Sequence, residues 1–503
     1  MRFAVKISSL VLFLLLPAAV APAQIELPKV LSSHMVLQRD LPVHIWGKAT
    51  PSEQITVAFR GESRTVVVDP LGRFSAYLKP GVAGGPFALT LSGSAPGEEK
   101  KVLDDVLVGD LWIASGQSNM EFRMHQAATA AQDLPRAANS RIRLLIVDKK
   151  TSDYPLDDVA LENGRGWTAS SPESAHDFSA VAWYFAREIE AREHVPVGVI
   201  DSTWGGTVVE SWTRVAALGE DATLAPVFSQ WGRMTEREST ALLEDKEQER
   251  QRQAAKAAGQ PEPQFDWHPQ LDSWGPGMLW NAMIAPLTPL AIRGVVWYQG
   301  ESNSKLERGP FYSRIFSTMI TDWRRQWGVG DFPFLFVQIS NFKSDDREDW
   351  AILREQQLKT LALRSTAMAV TIDIGNPDNV HPTNKLDVGL RLARAARALS
   401  YGEPVEYEGP VYRQSTPEPG ALRLWFDHAK GLTAKDGELT GFEIAGEDGK
   451  FSPAKATIDG ETLLVSSPAV SAPTQVRYGW ANAVHCNLFN GEGLPASPFR
   501  TGK

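Results

Sequence analysis

The sequence contains a single cysteine, Cys486, among 503 residues. One thiol cannot close a disulfide within the chain, and it cannot supply a cysteine zinc cluster or a redox pair. The nine histidines include no two at metal-ligand spacing on one predicted helix, and the HEXXH motif is missing. No glycine-rich phosphate loop follows a predicted strand. We therefore predict that the protein uses neither a metal nor a cofactor.

Basic residues are too few to give the chain a positive net charge. There are 51 Lys and Arg against 60 Asp and Glu, which leaves a net charge of −9 at pH 7, and no basic block interrupts this balance. Such a chain is poorly suited to nucleic acid or to anionic membranes, so we expect neither as a partner. The oligomeric state is left open.

Long hydrophobic runs are confined to the N-terminus. Residues 1–23 combine the basic start "MRFAVK", an apolar segment too short to span a bilayer, and the small-residue site "APA" at 21–23. This pattern predicts a cleaved signal peptide, although an uncleaved anchor is the alternative. We expect an exported protein, periplasmic or secreted, without a membrane anchor after cleavage. Export without disulfides suits a bacterial periplasm or exterior.

Three regions follow the signal peptide. Residues 24–104 carry short β-rich runs between turns, which predicts a β-sandwich-like domain. Residues 105–402 alternate buried strands with amphipathic helices, which is typical of a parallel α/β sheet, and residues 234–275 form a charged insertion within it. Residues 403–503 return to β-like alternation and predict a β-rich C-terminal module. In the middle region we predict strands at 110–115, 142–147, 195–202, 294–300, 332–340 and 368–375, and helices at 178–193, 310–327, 351–364 and 384–399.

The stretch "SGQSNM" (115–120) follows the first of these strands and precedes a short helix. Ser118 can be read in two ways. It can be a hydroxyl that caps the helix, because serine is a favoured N-cap residue. It can also be a nucleophile whose backbone N–H faces a developing oxyanion. Met120 stands where the G-x-S-x-G motif requires glycine, so the nucleophile elbow of α/β-hydrolases is disfavoured.

The run "IDIGNPDNVHPTNK" (372–385) places a histidine and a carboxylate on one loop. We expect the preceding strand to end near Gly375. Among the nine histidines, His381 alone lies just beyond a predicted α/β strand with a carboxylate close by, and ligands bind at such strand ends. Asp378, three residues earlier, can orient the imidazole while its other nitrogen faces a cleft. The alternative is a solvent-exposed Asp–His pair.

Two further strand ends carry groups that could stabilise an oxyanion. In "VIDSTWGGTVVE" (199–210), Gly205 and Gly206 can bring a backbone N–H close to a ligand, or they can form an ordinary turn. In "VVWYQGESN" (295–303), polar side chains follow a buried strand, and a carboxamide there could supply a further donor.

Six segments in this order resemble the sialate O-acetylesterase family, carbohydrate esterases related to the SGNH (GDSL-like) hydrolases. They are "SGQSNM", "STWGGTVVESW", "LWNAMIAPL", "WYQGESN", "LREQQ" and "DNVHPTNK", and they cover roughly residues 105–400. The resemblance implies a three-layer α/β/α fold with a parallel sheet, flanked here by the two β modules. Where members often show "LYNGMI", this chain has Trp280 and Ala282.

The resemblance also implies roles for individual residues. Ser118 would be the nucleophile, His381 the general base and acid, and Asp378 its orienter. The oxyanion hole would use the N–H groups of Ser118 and of Gly205 or Gly206, with a side-chain donor from Gln299 or Asn303, of which we favour Gln299. Four more residues are candidates for lining the substrate pocket: Asn119, Trp204, Glu301 and Arg354. Trp204 and Arg354 could equally be structural.

The predicted function is removal of O-acetyl groups from carbohydrates, on the pattern of a sialate 9-O-acetylesterase. The partner would be an O-acetylated carbohydrate substrate. Two alternatives remain: an acetylesterase acting on plant-wall polysaccharide such as xylan or pectin, and a non-catalytic carbohydrate-binding protein.

Overall fold

The computed structural model describes residues 24–95, 100–236, 238–263, 265 and 270–502. The predicted signal peptide, residues 1–23, lies outside the described residues. Within them, none of the helices has the length and apolar character needed to cross a membrane.

Seven strands open the described part of the chain. They are β1 (Val36–Gln38), β2 (Val43–Lys48), β3 (Gln54–Phe59), β4 (Glu62–Val67), β5 (Arg73–Leu78), β6 (Gly84–Gly93) and β7 (Lys101–Gly116). In β5 the side chains of Phe74, Ala76 and Leu78 are buried and those between them are exposed, as expected for a strand with one face on a core. β2 pairs with β5, and β3 pairs with β4 and β6, all antiparallel. The N-terminal β structure is therefore confirmed.

A second sheet occupies the centre of the molecule and includes the second half of β7. Its other strands are β8 (Asn139–Ile146), β9 (Thr168–Ser170), β10 (Val197–Thr203), β11 (Gly294–Tyr298), β12 (Phe334–Val337) and β13 (Thr366–Ala369). The order is β13-β12-β11-β7-β10-β8-β9, and all neighbours are parallel except β9, which runs antiparallel to β8. β10 and β11 are buried along their whole length, because both faces of the sheet are covered.

β7 belongs to both sheets. Its first part pairs with β1 and β6, and the segment from Asp110 to Gly116 pairs with β10. The predicted boundary between residues 104 and 105 therefore falls inside one continuous strand. This strand couples the N-terminal β structure to the central sheet through backbone hydrogen bonds.

Helices cover both faces of the central sheet. Trp112 of β7 and Trp297 of β11 stand at register positions that point to opposite faces. Trp112 contacts Phe185 of α4 (Ala180–Glu193) edge-on, and Trp297 stacks on Phe316 of α9 (Tyr312–Trp327), so the two helices lie on opposite sides. The predicted three-layer α/β/α arrangement is confirmed. The helices are α1 (Ser118–Glu121), α2 (Ala130–Asp133), α3 (Pro172–His176), α4 (Ala180–Glu193), α5 (Val215–Gly219), α6 (Ala225–Thr235), α7 (Glu238–Ala257), α8 (Leu271–Trp274), α9 (Tyr312–Trp327), α10 (Trp350–Lys359) and α11 (Leu386–Tyr401).

The C-terminal region is built from short antiparallel strands, as predicted. They are β14 (Val411–Glu418), β15 (Ala421–Asp427), β16 (Thr433–Ala434), β17 (Phe442–Ala445), β18 (Ser452–Pro453), β19 (Lys455–Asp459), β20 (Thr462–Ser466), β21 (Gln475–Tyr478), β22 (Leu488–Phe489) and β23 (Phe499–Arg500). Two four-stranded sheets result, with orders β14-β15-β20-β19 and β18-β17-β21-β23. The single cysteine, Cys486, is buried and free.

Among the carboxyl ends of the central strands, that of β13 differs most from the sequence prediction. β13 ends at Ala369, whereas we expected a strand that continued to about Gly375. Beyond Ala369 the backbone is fixed by hydrogen bonds that involve side chains, and the regular hydrogen bonds of a β-sheet no longer continue. The Asn341 carboxamide donates to the Ile372 carbonyl at 2.7 Å, and the Thr371 hydroxyl donates to the Gln338 carbonyl at 2.6 Å. The loop that carries His381 is therefore longer than the sequence pattern indicated.

Candidate active site

Three strands of the central sheet end side by side. Gly116 at the end of β7 is paired with Thr203 on one side and with Tyr298 on the other. The segments that follow these strands therefore meet at one edge. Gly116 has φ of 133°, and a Cβ there would lie 2.2 Å from the Tyr298 carbonyl oxygen. Only glycine allows the chain to turn at this point towards Ser118.

Ser118 is the first residue of α1 and contacts the predicted histidine. Its Oγ lies 2.7 Å from His381 Nε2, although the two residues are 263 positions apart. The N-cap position belongs to Gln117, which makes no side-chain capping bond. The Ser118 hydroxyl is therefore bonded to an imidazole, and the helix-capping interpretation of this side chain is not what the structure shows.

His381 lies on the loop between β13 and α11 and is partly buried. Its backbone N–H donates to the Asn379 side chain at 2.9 Å, which fixes the loop locally. Burial lowers the pKa of His381, the nearby Lys385 cation lowers it further, and the Glu121 carboxylate opposes both effects. Burial and the Lys385 cation thus favour the neutral imidazole, the form that can accept a proton.

Asp378 does not make the contact with His381 that the sequence suggested. Its carboxylate is paired with Lys343 at 2.8 Å, and its side chain is 77% exposed. No hydrogen bond joins it to His381 among the described residues. The loop turns after Pro377, so the carboxylate faces solvent and the Lys343 ammonium.

Asn119, Glu301 and Lys385 form a buried polar network directly behind Ser118. Asn119 Nδ2 donates to Glu301 Oε1 at 2.5 Å and to the Val380 carbonyl at 3.0 Å, and Lys385 Nζ donates to Asn119 Oδ1 at 2.5 Å. Burial lowers the pKa of Lys385 to about 7 and raises the pKa of Glu301. The network therefore links Asn119, which follows Ser118, to Val380, which precedes His381. Of the two predicted lining residues, Glu301 borders the cavity and Asn119 lies behind it.

Gly205 and Gly206 differ in what their backbone N–H groups do. The N–H of Gly205 donates to Glu121 Oε2 at 2.6 Å, so it is already occupied. A Cβ on Gly205 would lie 3.2 Å from Ser118 Cβ, which shows how closely this turn approaches the serine. The N–H of Gly206 has no hydrogen-bond partner among the described residues, and both glycines border the cavity.

Gln299 and Asn303, the predicted side-chain oxyanion donors, are buried in a separate network. Gln299 Nε2 donates to the Thr207 carbonyl at 3.1 Å and to Asn303 Oδ1 at 2.7 Å, and its Oε1 accepts from Tyr312. Asn303 Nδ2 donates to Glu210 Oε2 at 2.8 Å. Neither side chain borders the cavity beside Ser118. The structure therefore does not support either residue as an oxyanion donor.

Trp204 and Arg354 also stand apart from the cavity. Arg354 is fully buried, and its guanidinium donates to four backbone carbonyls, those of Ile339, Ser340, Ala481 and Asn482. Burial lowers its pKa to about 10. Two of these carbonyls lie in the C-terminal region, so Arg354 joins this region to the central sheet. Trp204 is partly buried against the core and does not border the cavity, which favours the structural interpretation for both side chains.

A cavity of about 530 Å³ opens beside Ser118 and His381. Three aromatic side chains contribute to its walls: Trp274, Phe342 and Trp350. Charged groups at its border are Lys305, Glu301 and Glu348. Sequence reasoning missed the aromatic walls, because they come from loops and helix ends without a recognised motif. It also gave no role to Lys385, although this residue ends the quoted segment "DNVHPTNK". Lys385 could have been noticed as the cation four residues after His381.

One group of described residues has the geometry of metal ligands, and it lies elsewhere. Ligand atoms of His125, His176 and Asp177 lie within 4.8 Å of one another on the surface. The Asp177 carboxylate is already paired with His176 Nδ1 at 2.7 Å. None of the three borders the cavity, so they take no part in the Ser118–His381 arrangement.

Comparisons with known proteins agree with this fold. Residues 265–398 match the model of a carbohydrate esterase family described as sialic acid-specific acetylesterase. The sialate O-acetylesterase of Mus musculus is 30% identical over 93% of this chain and 93% of its own length, and that of Homo sapiens is 28% identical over 93% and 91%. The crystal structure of a carbohydrate acetylesterase from Xanthomonas citri superposes with a TM-score of 0.82 at 39% identity, covering 95% of this chain and all of that one.

A parallel α/β/α sheet with a serine–histidine pair at its carboxyl edge, together with these relatives, defines a carboxylic ester hydrolase of the carbohydrate esterase class. More narrowly, the chain belongs to the sialate O-acetylesterase family. The resemblance read from the six sequence segments is confirmed.

Proposed function

We propose that this protein removes O-acetyl groups from carbohydrates, with Ser118 as nucleophile and His381 as general base. The observation that carries the proposal is the 2.7 Å contact between Ser118 Oγ and His381 Nε2 at the border of the cavity. A nucleophile within hydrogen-bond reach of a neutral imidazole is the arrangement that activates a serine. An intact pair argues against the alternative of a non-catalytic carbohydrate-binding protein.

The reaction proceeds through an acetyl-enzyme. His381 Nε2 takes the proton as Ser118 Oγ bonds to the acetyl carbon, and the carbonyl electron pair moves onto oxygen. The N–H groups of Ser118 and Gly206 are proposed donors to this oxyanion. Collapse breaks the bond to the sugar oxygen, which receives the proton from His381, and water then releases acetate by the same steps. Asp378 stays a prediction as orienter, since its carboxylate must leave Lys343 to reach His381.

The substrate class follows from the relatives and from the cavity. Relatives over nearly the whole chain carry the name sialate O-acetylesterase, and we propose an O-acetylated sugar, with 9-O-acetyl sialate as the first candidate. The walls formed by Trp274, Phe342 and Trp350 suit the apolar faces of pyranose rings. Lys305 is a cation that could pair with a sugar carboxylate. Acetylated xylan or pectin is the second candidate, because the same aromatic walls suit a neutral chain.

The decisive experiment measures acetate release from O-acetylated sialosides, acetylated xylan and acetylated pectin. We expect the wild-type protein to release acetate and Ser118→Ala to lose about 10⁶-fold in kcat. Ser313→Ala is the matched control, because this hydroxyl on α9 bonds to Gln356 of α10 and does not border the cavity, so its loss should not affect turnover. Wild-type protein that releases no acetate from any substrate would refute the proposal.

We also propose that the protein is exported. The basic, apolar and small-residue segments of residues 1–23 support a signal peptide, and a periplasmic or secreted enzyme would meet its acetylated substrates outside the cell. N-terminal sequencing of the mature protein tests this, with Gln24 as the expected first residue.

A further inference from the structure

The carboxamide of Gln117 is a buried polar group that the sequence interpretation leaves without a role. Gln117 directly precedes Ser118, is only 3% exposed, and borders the cavity. Its backbone is fixed on both sides. The N–H donates to the Tyr298 carbonyl at 3.0 Å, and the carbonyl accepts from the N–H groups of Met120 and Glu121 at 2.9 and 3.0 Å. The side chain therefore starts from a rigid position.

The orientation of the Gln117 carboxamide is determined by its neighbours. Oε1 accepts hydrogen bonds from the backbone N–H groups of Gly300 at 3.3 Å and Ser302 at 3.2 Å. A backbone N–H can only donate, so the oxygen must face these two groups and the NH₂ group must face away from them. Nε2 has no hydrogen-bond partner among the described residues, although the residue is almost fully buried.

The other candidate side-chain donors at this edge, and one of the two glycine N–H groups, are already used. The carboxamides of Gln299 and Asn303 are bonded within their own network, and the N–H of Gly205 is bonded to Glu121. Gln117 is thus a side chain beside Ser118 that borders the cavity and holds a positioned N–H donor without a partner.

We propose that Gln117 Nε2 donates a hydrogen bond to the oxyanion of the tetrahedral intermediate, and so is the side-chain donor of this active site. The inference rests on the proposed ester hydrolysis. As Ser118 Oγ bonds to the acetyl carbon, the carbonyl oxygen gains the electron pair and accepts the N–H of Gln117. When the intermediate collapses, the pair returns to re-form the carbonyl and the hydrogen bond weakens. The donor therefore stabilises the transition state more than the bound ester.

The test compares Gln117→Glu with Gln117→Ala. Glutamate keeps an oxygen for the N–H groups of Gly300 and Ser302 and replaces the donor by an acceptor. We expect kcat on p-nitrophenyl acetate to fall by about 10²–10³-fold in both variants, with KM within about threefold of wild type. The inhibition constant of a phenyl trifluoromethyl ketone, which forms a tetrahedral oxyanion with serine, should rise by a similar factor. A purely structural role would not change this inhibition.

Gln357→Glu is the matched control, since this buried carboxamide is bonded at both ends and lies away from the cavity. The Gln357→Glu substitution should lower the midpoint of thermal unfolding and leave kcat of the folded protein within about threefold of the wild-type value. If both Gln117 variants kept wild-type kcat and ketone inhibition while Ser118→Ala was inactive, the proposed function would stand and the role of Gln117 would be refuted. If the wild-type protein hydrolysed no acetyl ester, the proposed function and the role of Gln117 would both be refuted.

Discussion

Two polar clusters lie at the same edge of the central sheet and differ in how fully their hydrogen-bonding groups are used. In the structural cluster, Gln299, Asn303, Glu210 and Arg308 satisfy one another, and the Arg308–Glu210 pair is almost fully buried at 2.8 Å. In the catalytic cluster, Ser118 and His381 bond to each other beside a cavity, and Gln117 keeps a free N–H group. Both clusters follow strands, so position alone does not distinguish them.

The difference shows what separates a polar residue that supports the fold from one that acts on a ligand. A polar group buried in the fold must find its partners within the protein, because leaving it unpaired costs free energy. A group that acts on substrate must keep at least one hydrogen-bond donor or acceptor unpaired until the substrate binds. Changes in the catalytic cluster should therefore reduce turnover and spare stability, whereas changes in the structural cluster should do the reverse.

The largest expected effect is the loss of the general base. His381→Ala should lower kcat by about 10⁶-fold, comparable to Ser118→Ala, because the two side chains act as a unit. The midpoint of thermal unfolding should change little. His176→Ala, at an exposed histidine on α3, is the control for both measurements. A His381→Ala variant within tenfold of wild type would remove this residue from the mechanism.

The next effect is on stability. Arg308→Met should leave the Glu210 carboxylate buried without its counter-charge and lower the free energy of unfolding by about 3–5 kcal/mol. Arg325→Met is the matched control, because its pair with Glu220 is exposed and should contribute less than about 1 kcal/mol. Urea denaturation measures both. Equal decreases in the free energy of unfolding of the two variants would contradict the distinction between a buried ion pair and a surface ion pair.

The third expected effect is a shift in the pH profile. The Lys385 cation lowers the pKa of His381, and kcat/KM falls as the pH drops through that pKa and the base becomes protonated. Removing the positive charge with Lys385→Met should raise the pKa of His381 and move the acid limb of kcat/KM to higher pH. Lys359→Met, on the exposed side of α10, should not move it. An acid limb that moved to lower pH would contradict this electrostatic role.

The smallest expected effect is at Asp378. Because its carboxylate is bonded to Lys343 and not to His381, we expect Asp378→Ala to lower kcat by less than about tenfold. An orienting carboxylate that is already in place is worth about 10⁴-fold in a serine–histidine–aspartate triad. A loss of that size would show that Asp378 reaches His381 during turnover, as the sequence resemblance implied. Lys343→Ala, measured alongside, should then keep or increase activity.

The sheet and the serine–histidine pair could be predicted from the sequence. Strands such as Gly294–Tyr298 and Phe334–Val337 are continuous apolar runs, and helices such as Tyr312–Trp327 carry a clear amphipathic pattern. The topology then places strand ends together, so Ser118 and His381 could be paired across 263 residues.

The remaining parts of the site depend on contacts that no local pattern records. Gln299 and Gln117 are both glutamines beside strand ends, and only the three-dimensional packing shows that one is saturated and the other keeps a donor. The sequence left Arg354 as either a pocket-lining or a structural residue, and only the packing shows that four backbone carbonyls satisfy its buried guanidinium. The direction of the Asp378 carboxylate depends on the turn after Pro377 and on Lys343, which lies 35 positions away.

The central claim is that His381 activates Ser118, and covalent labelling tests it most directly. The wild-type protein is treated with diisopropyl fluorophosphate, activity is followed, and the modified peptide is located by mass spectrometry. We predict one diisopropylphosphoryl group per chain, attached to Ser118, with loss of activity in proportion to labelling, and labelling at least about 10³-fold slower in His381→Ala. Inactivation with the label on another residue, or equal labelling rates in the two proteins, would contradict the account.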